Sequence, residues 1–330
     1  MIFSLIVCTY KRRFAIENLL ESVLKQTIYP DEIIIVDSSS DDDTKLYIED
    51  KRFKNLKYFK VDDTNKGLTR QRNFGINQVD ESSEIICFLD DDIILYPNYF
   101  NELLSTYKNY PEALGVGGYI VNEVKWTKVN SDYKAHLNQF WYDGYVRSEP
   151  SRFRIRKKIG LDSNFAPGMT PMFSHGRSLG FLPPSGEIYQ VEQLMGGVSS
   201  FKKEVFKASS FSTYFIGYGL YEDADFSIRI AKQGKLYLNT NAQLEHHHDP
   251  SGRPNKYKYG KMVVRNGWYV WRVKNPNPLL KDRLKWNAIT CLLLVIRATN
   301  ICTAKKRKEA FTETLGRMVG YISLIFYKPK

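Results

Sequence analysis

Residues 90–92 are three consecutive aspartates inside the segment ICFLDDDI (Ile86–Ile93), an apolar run interrupted by three carboxylates. Adjacent unpaired carboxylates raise one another's pKa. No Lys or Arg lies within several residues, so the compensating positive charge has to come from elsewhere. If strand geometry continues through the cluster, the period of two turns Asp90 and Asp92 to one side and Asp91 to the other. Two converging carboxylates suit a hard divalent cation, Mg²⁺ or Mn²⁺, that keeps coordination positions for phosphate oxygens. A solvated acidic turn is the plainer reading of an isolated triplet; its place after an apolar run favours the metal site.

A second acidic centre is YEDADFSIR (Tyr221–Arg229), where Glu222 and Asp223 open an amphipathic helix with Phe226, Ile230 and Ala231 on one side. Acids at a helix N-terminus are ordinary caps favoured by the dipole, so the pair says little alone. The segment EHHHDP holds three of the five histidines, His246–His248. Strand alternation lets His246 and His248 share a side with His247 opposed; a surface turn is the alternative.

The elements that position these residues read as successive β-α units forming a mostly parallel sheet. Strands are expected at Phe3–Cys8, Glu32–Val36, Leu56–Phe59 and Glu84–Leu89. Helices are expected at Phe14–Lys25, with Ile16, Leu19, Leu20, Val23 and Leu24 at helical spacing, and at Thr69–Val79. Ligands of such open sheets bind beyond the carboxyl ends of the strands. Three strand ends carry suitable residues: Thr9-Tyr10-Lys11-Arg12, Asp37 with Ser38–Ser40, and Asp90–Asp92. Asp37 also suits a turn cap through Ser39 or Ser40.

The chain has 330 residues, 43% of them hydrophobic, enough for one large domain or two modest ones. Its net charge of +12 is localised: from Lys256 onward there are 17 Lys/Arg and three acids, which leaves 31 basic against 33 acidic residues before it. Cys8, Cys87, Cys291 and Cys302 lack paired spacing, so a disulfide framework or zinc site is not expected and a reducing compartment is. MIFSLIVCTYKRR places its charges after the apolar run and reads as a first strand, not a signal peptide. The longest apolar run near the C-terminus, Ala288–Ile296, is closed by Arg297, so no simple transmembrane anchor is expected.

The segments SLIVCTYKR, PDEIIIVDSSSDDDT, NKGLTRQRNFGI, FLDDDI, MGGVSSFKKEVF and GYGLYEDADFSIRIAKQG occur in the order found in family 2 glycosyltransferases with a GT-A fold. The chain resembles that family over about residues 1–250. The resemblance implies a Rossmann-like α/β domain at 1–255, with a nucleotide-sugar half (1–121) and an acceptor half (122–255), followed by a basic amphipathic helical tail (256–330). It implies an inverting, metal-dependent sugar transfer from a nucleoside diphosphate sugar, most commonly UDP-linked. Asp90 and Asp92 look like the family's DXD pair, with Asp92 as metal ligand and Asp90 shared between ribose and metal. Thr9, Tyr10, Arg12, Asp37, Arg72 and Asp91 correspond to the nucleotide-binding set. Asp223 matches the general base and Glu222 its acceptor-binding neighbour; a single base opposite the leaving group implies inversion. His247 or His246 matches the histidine that completes the metal shell. Gly196-Gly197 resembles the strand under the acceptor, where small residues let a sugar approach the backbone. The loop Pro250–Gly260 suits a lid over the diphosphate, using Arg253 or Lys256.

In the tail, aromatic and basic residues interleave, as in RNGWYVWRVKNPNPLLKDRLKW and LGRMVGYISLIFYKPK. Three readings apply: helices lying on an anionic membrane, a nucleic-acid surface, and helices packed on the catalytic domain. The apolar runs Leu292–Ile296 and Tyr321–Phe326 favour the membrane over nucleic acid. The resemblance implies a glycan or polyprenyl-linked acceptor in cell-surface polysaccharide synthesis, and a peripheral site at the cytoplasmic face. A nucleotidyltransferase is the alternative enzyme, but CTYKRRF lacks the glycines of a phosphate loop. A non-catalytic membrane-binding protein on the same fold is the alternative without chemistry.

Overall fold

The computed structural model describes residues 1–215, 217–248 and 254–329. In chain order the elements begin with β1 (Phe3–Thr9), α1 (Arg13–Leu24), β2 (Glu32–Asp37), α2 (Asp43–Lys51), β3 (Leu56–Lys60), α3 (Leu68–Ile76) and β4 (Ile85–Asp90). They continue with β5 (Ile93–Leu95), α4 (Tyr99–Asn109), β6 (Ala113–Ile120), β7 (Thr127–Lys128), β8 (Gln139–Tyr142), β9 (Tyr145–Ser148) and α5 (Ser151–Lys158). The last are β10 (Ile188–Val191), β11 (Val198–Lys202), α6 (Glu222–Ala231), β12 (Lys235–His246), α7 (Lys256–Lys274), α8 (Leu280–Thr303) and α9 (Arg307–Phe326).

The chain forms two compact units, one of Met1–Lys125 with Leu182–Gly252 and one of Trp126–Phe181 with Arg253–Lys330. The expected division at 255/256 is therefore crossed, because residues 126–181 pack with the C-terminal helices.

The first unit is built on a nine-stranded sheet in the order β10-β12-β6-β11-β4-β1-β2-β3, with β5 paired to β12. The neighbours β1/β2, β1/β4, β2/β3 and β6/β12 are parallel, whereas β11 runs antiparallel between β4 and β6. EIIIVD of β2 is buried along its whole length, as a strand covered by helices on both faces requires. The apolar face of α1, with Ile16, Leu19, Leu20 and Val23 fully buried, packs into that core. Register then does the positioning: Thr9 pairs with Asp37, and Cys8 with Asp90. The ends of three adjacent strands thus present Thr9, Asp37 and Asp90 along one edge.

The second unit combines a small antiparallel sheet, β7-β9-β8, with α5 and the three C-terminal helices. Trp271 and Trp286 stack at 5.4 Å in a core with Val264 and Leu324, and the Trp271 indole donates to the Met172 carbonyl at 2.9 Å. Helices α7 and α9 meet almost backbone to backbone: a Cβ on Gly260 would lie 2.2 Å from the Glu313 carbonyl, and one on Gly316 2.1 Å from that of Tyr257.

Contrary to expectation, Leu280–Thr303 is one helix of 24 residues, long and apolar enough by length and composition to cross a membrane. Arg297 does not end the run, because its guanidinium pairs with Glu313 of α9 at 2.7 Å. Helix α9 carries an exposed stripe of Phe311, Leu315, Met318, Ile322 and Ile325, and α8 exposes Leu280, Leu284 and Val295.

Candidate functional site

The triple aspartate divides its work. Strand β4 ends at Asp90, whose N–H donates to the Gly197 carbonyl at 3.0 Å. Asp91 is buried, accepting from Thr9 Oγ1 at 2.7 Å and from Arg12 Nη1 at 2.8 Å. Burial pushes its pKa up to about 6 against the pull of Arg12. It ties the aspartates to the loop after β1. Asp90 and Asp92, by contrast, converge with His246, and their ligand atoms lie within 4.8 Å of one another. His246 Nε2 sits 3.1 Å from Asp92 Oδ1, and its Nδ1 lies 3.2 Å from Glu123 Oε1. Burial disfavours the imidazolium, but the bonds to Asp92 and Glu123 outweigh this and hold the pKa up at about 10.

His247 is not brought to this group: its ring turns to Glu245 at 3.1 Å while its N–H donates to the Asp92 carbonyl at 2.9 Å. Strand β12 ends at His246, and the chain turns at His248 with φ 49°, which brings the His248 ring against that of His246 with centroids 3.9 Å apart and leaves His247 apart from them.

The positive charge sought for the aspartates comes partly from Arg72 on α3. Its guanidinium is buried over Phe88 and Phe211 and bridges Asp90 Oδ1, at 3.3 Å, and Glu222 Oε1. Burial opposes its charge, yet Glu222 and Asp90 hold its pKa above the ordinary arginine value. This one side chain joins the two acidic centres that the sequence places 130 residues apart. The Gly196-Gly197 pair provides the room: a Cβ on Gly196 would lie 2.5 Å from Glu222 Oε1, and one on Gly197 2.0 Å from the Asp90 carboxyl carbon. The space expected for an approaching sugar is occupied by the chain's own ion pairs.

Helix α6 opens at Glu222 after Tyr221, a bulky residue at φ 72°, a left-handed conformation that costs energy outside glycine. Glu222 is buried, and its Oε2 has no hydrogen-bond partner among the described residues. Burial pushes its pKa up to about 8, with Arg72 opposing and Asp223 and Asp90 adding to the rise. Asp223 accepts from the Gly196 N–H at 3.3 Å and the Ala224 N–H at 2.7 Å. Burial also lifts Asp223 above the usual aspartate range. Asp223 is thus a carboxylate made more basic by burial, at a helix start, joined through the neighbouring glutamate and Arg72 to a cluster of metal-binding type.

At the other strand ends, Asp37 is fully buried and accepts from the Ser39 N–H at 2.7 Å, from the Ser39 hydroxyl, and from Tyr58 at 2.9 Å. Tyr10 is exposed, with the Lys66 ammonium 4.8 Å from its ring centroid. Two residues escaped the sequence reading. Gln71 donates to the carbonyls of Thr9 and Val36 at 3.0 and 2.9 Å, locking α3 onto the ends of β1 and β2; its place in TRQRN was the available signal. Glu123 had none, since only the pairing of β6 with β12 brings it to His246. Of the expected lid, Arg253 and residues 250–252 lie outside the described residues, and Lys256 begins α7, paired with Glu309 at 3.6 Å.

A family model described as Glycosyl transferase family 2 matches residues 4–176. Among curated proteins, the chain is 30% identical over 120 residues to a glucosyl-dolichyl phosphate glucuronosyltransferase of Haloferax volcanii, covering 36% of this chain and 38% of that protein. It is 37% identical over 97 residues to an O-antigen chain rhamnosyltransferase of Salmonella typhimurium, covering 29% of each. It is 35% identical over 91 residues to a GalNAc(5)-diNAcBac-PP-undecaprenol beta-1,3-glucosyltransferase of Campylobacter jejuni, covering 27% of this chain and 29% of that one. The matches thus span less than half the length of these relatives. Among solved structures, GalNAc-T7 with UDP, GalNAc and Mn²⁺ superposes with a TM-score of 0.53 at 14% identity, covering 82% of this chain and 49% of that chain. That likeness establishes the GT-A type of α/β fold.

Proposed function

The chain belongs to glycosyl transferase family 2, and from that premise we propose that it is an inverting transferase moving a sugar from a nucleoside diphosphate donor, UDP-linked first among them, to a hydroxyl of a glycan or lipid-linked acceptor. The observation that carries the reading is the joining of the Asp90/Asp92/His246 cluster to Glu222 and Asp223 through Arg72. Two carboxylates and an imidazole with convergent atoms fit a divalent cation such as Mn²⁺ or Mg²⁺. When bound there, the cation supplies Lewis-acid stabilisation of the charge that develops on the departing diphosphate.

The chain's own residues do the rest. Asp223, made more basic by burial, takes the proton of the acceptor hydroxyl as that oxygen attacks the anomeric carbon from the face opposite the leaving group. Arg72 holds Glu222 and Asp90 in place, and with Arg12 offers positive charge beside the diphosphate. Thr9, Tyr10 and Asp37 line the strand ends where the nucleoside docks, with Asp91 bracing the first loop. The test is a panel of nucleotide sugars in thermal shift with and without Mn²⁺, beside Asp92→Asn. Stabilisation by one donor only with metal, lost in the variant, supports the reading; a nucleoside triphosphate and a sugar 1-phosphate converted to a nucleotide sugar with release of pyrophosphate would identify a nucleotidyltransferase instead.

We place the protein at the inner face of a membrane. The relatives named for dolichyl phosphate and PP-undecaprenol acceptors support this, as do the exposed apolar stripe of α9 and the excess of basic residues after Lys256. Apolar residues flanked by Lys and Arg suit an anionic lipid surface better than nucleic acid.

A further inference from the structure

We propose that Glu123, His248 and the Nδ1 side of His246 form a second cation site, for a borderline transition metal of the Zn²⁺ type, beside the Asp90/Asp92 cluster and sharing the His246 ring with it. The backbone builds it. Strands β6 and β12 run parallel with Ile120 opposite Leu244, and the Val121 N–H donates to the Leu244 carbonyl at 3.0 Å. One residue on, Asn122 clamps His246 by two bonds: its Oδ1 accepts from the His246 N–H and its Nδ2 donates to the His246 carbonyl, each at 3.0 Å. Glu123 is thereby delivered to the edge of the His246 ring by main-chain register.

His248 arrives from the other direction. Its φ of 49° turns the chain back after β12, so that its ring lies against that of His246. Glu123 Oε1 then faces two imidazole nitrogens, Nδ1 of His246 at 3.2 Å and Nε2 of His248 at 2.9 Å. One ligand atom from each of the three residues falls within 4.8 Å of the others. The side chains of Glu123 and His248 are 33% and 50% exposed, so a cation reaches them from solvent.

The donor set separates the two sites by chemistry. Asp90 and Asp92 give an oxygen-rich set with one nitrogen, suited to Mg²⁺ or Mn²⁺. Glu123 with two imidazoles gives a nitrogen-rich set of the kind Zn²⁺ takes and Mg²⁺ does not. His246 faces Asp92 through Nε2 and Glu123 through Nδ1, so with a cation on Nδ1 the neutral ring carries its one N–H on Nε2 and donates it to Asp92, which orients a carboxylate of the first site; Nε2 ligates a cation there at the same time only once that proton has left to solvent.

The experiment is equilibrium dialysis of the full chain against Zn²⁺, and separately Mg²⁺, with bound metal counted for wild type, Asp92→Asn, His248→Ala and Glu123→Gln. His248→Ala and Glu123→Gln should each lose one bound Zn²⁺ relative to wild type, and should keep their Mg²⁺ binding. Asp92→Asn should keep the Zn²⁺ that those two variants lose, which separates this site from the transferase reading. Circular dichroism of each variant establishes that it is folded. If His248→Ala and Glu123→Gln bind as much Zn²⁺ as wild type, or if Asp92→Asn abolishes all Zn²⁺ binding, the second site does not exist.

Discussion

At the scale of single residues, the proton acceptor and its bridge make separable demands. Asp223→Asn removes the base without removing the donor's contacts, so kcat should fall by about 10²–10⁴-fold while donor stabilisation persists; equal loss of both would give Asp223 to donor binding. Because burial lifts the Asp223 pKa, and the ionised form is the active one, kcat in wild type should fall with decreasing pH through a limb lying above the ordinary aspartate range. A limb at or below that range in a pH profile of kcat would remove the argument from burial. Arg72→Met strands Glu222 and Asp90 without their shared cation and should destabilise the fold by ~3–5 kcal/mol, read by denaturant unfolding. Pairing it with Glu222→Gln should recover part of that loss, and an additive double variant would mean that the two do not act as a pair. Gly197→Ala drives a methyl against the Asp90 carboxylate, so it should cost ~1–3 kcal/mol and weaken metal-dependent donor binding; unchanged donor binding would show that the glycine is there for another reason.

At the scale of elements, legibility followed the range of the forces. Strands β1 to β4 and helices α1 and α3 were readable to within a few residues, because each carries its own periodicity and the register of parallel neighbours follows from it. The strand-end residues Thr9, Asp37 and Asp90 were readable for the same reason. Glu123 was not, since nothing local to residue 123 says that β12 returns beside β6. The continuity of α8 was misjudged because Arg297 reads as a terminator until Glu313, on another helix, neutralises it. Helix α9 makes its own prediction. Replacing Phe311 and Ile325, both exposed on one stripe, by Ser removes two apolar side chains each worth ~1.5–3 kcal/mol when buried. Vesicle co-sedimentation should then fall by roughly a hundredfold or more while donor binding holds, whereas undiminished sedimentation would remove the stripe from the membrane contact.

At the scale of the whole molecule, charge is partitioned: the region before Lys256 is near neutral and the region after it carries the excess. Binding to vesicles should therefore require anionic lipid and weaken steeply as salt rises and the Debye length shortens. Equal binding to neutral vesicles at high salt would show that apolar contact alone suffices. The grouping of residues 126–181 with the C-terminal helices lay beyond sequence reasoning, because contacts across more than 70 residues, such as Trp271 with Met172, leave no periodic trace.

The order of the sheet has a further consequence, for synthesis. Strand β11 lies between β4 and β6, yet β6 ends at Ile120 and β11 begins only at Val198. At ribosomal rates of ~5–20 residues per second, the nascent chain carries the unpaired edges of β4 and β6 for roughly 4–16 s before their common partner emerges. Exposed strand edges are templates for pairing with other chains. The interval between residues 120 and 198 is therefore when this polypeptide is most open to misassociation, and a translational pause placed there would lengthen the exposure.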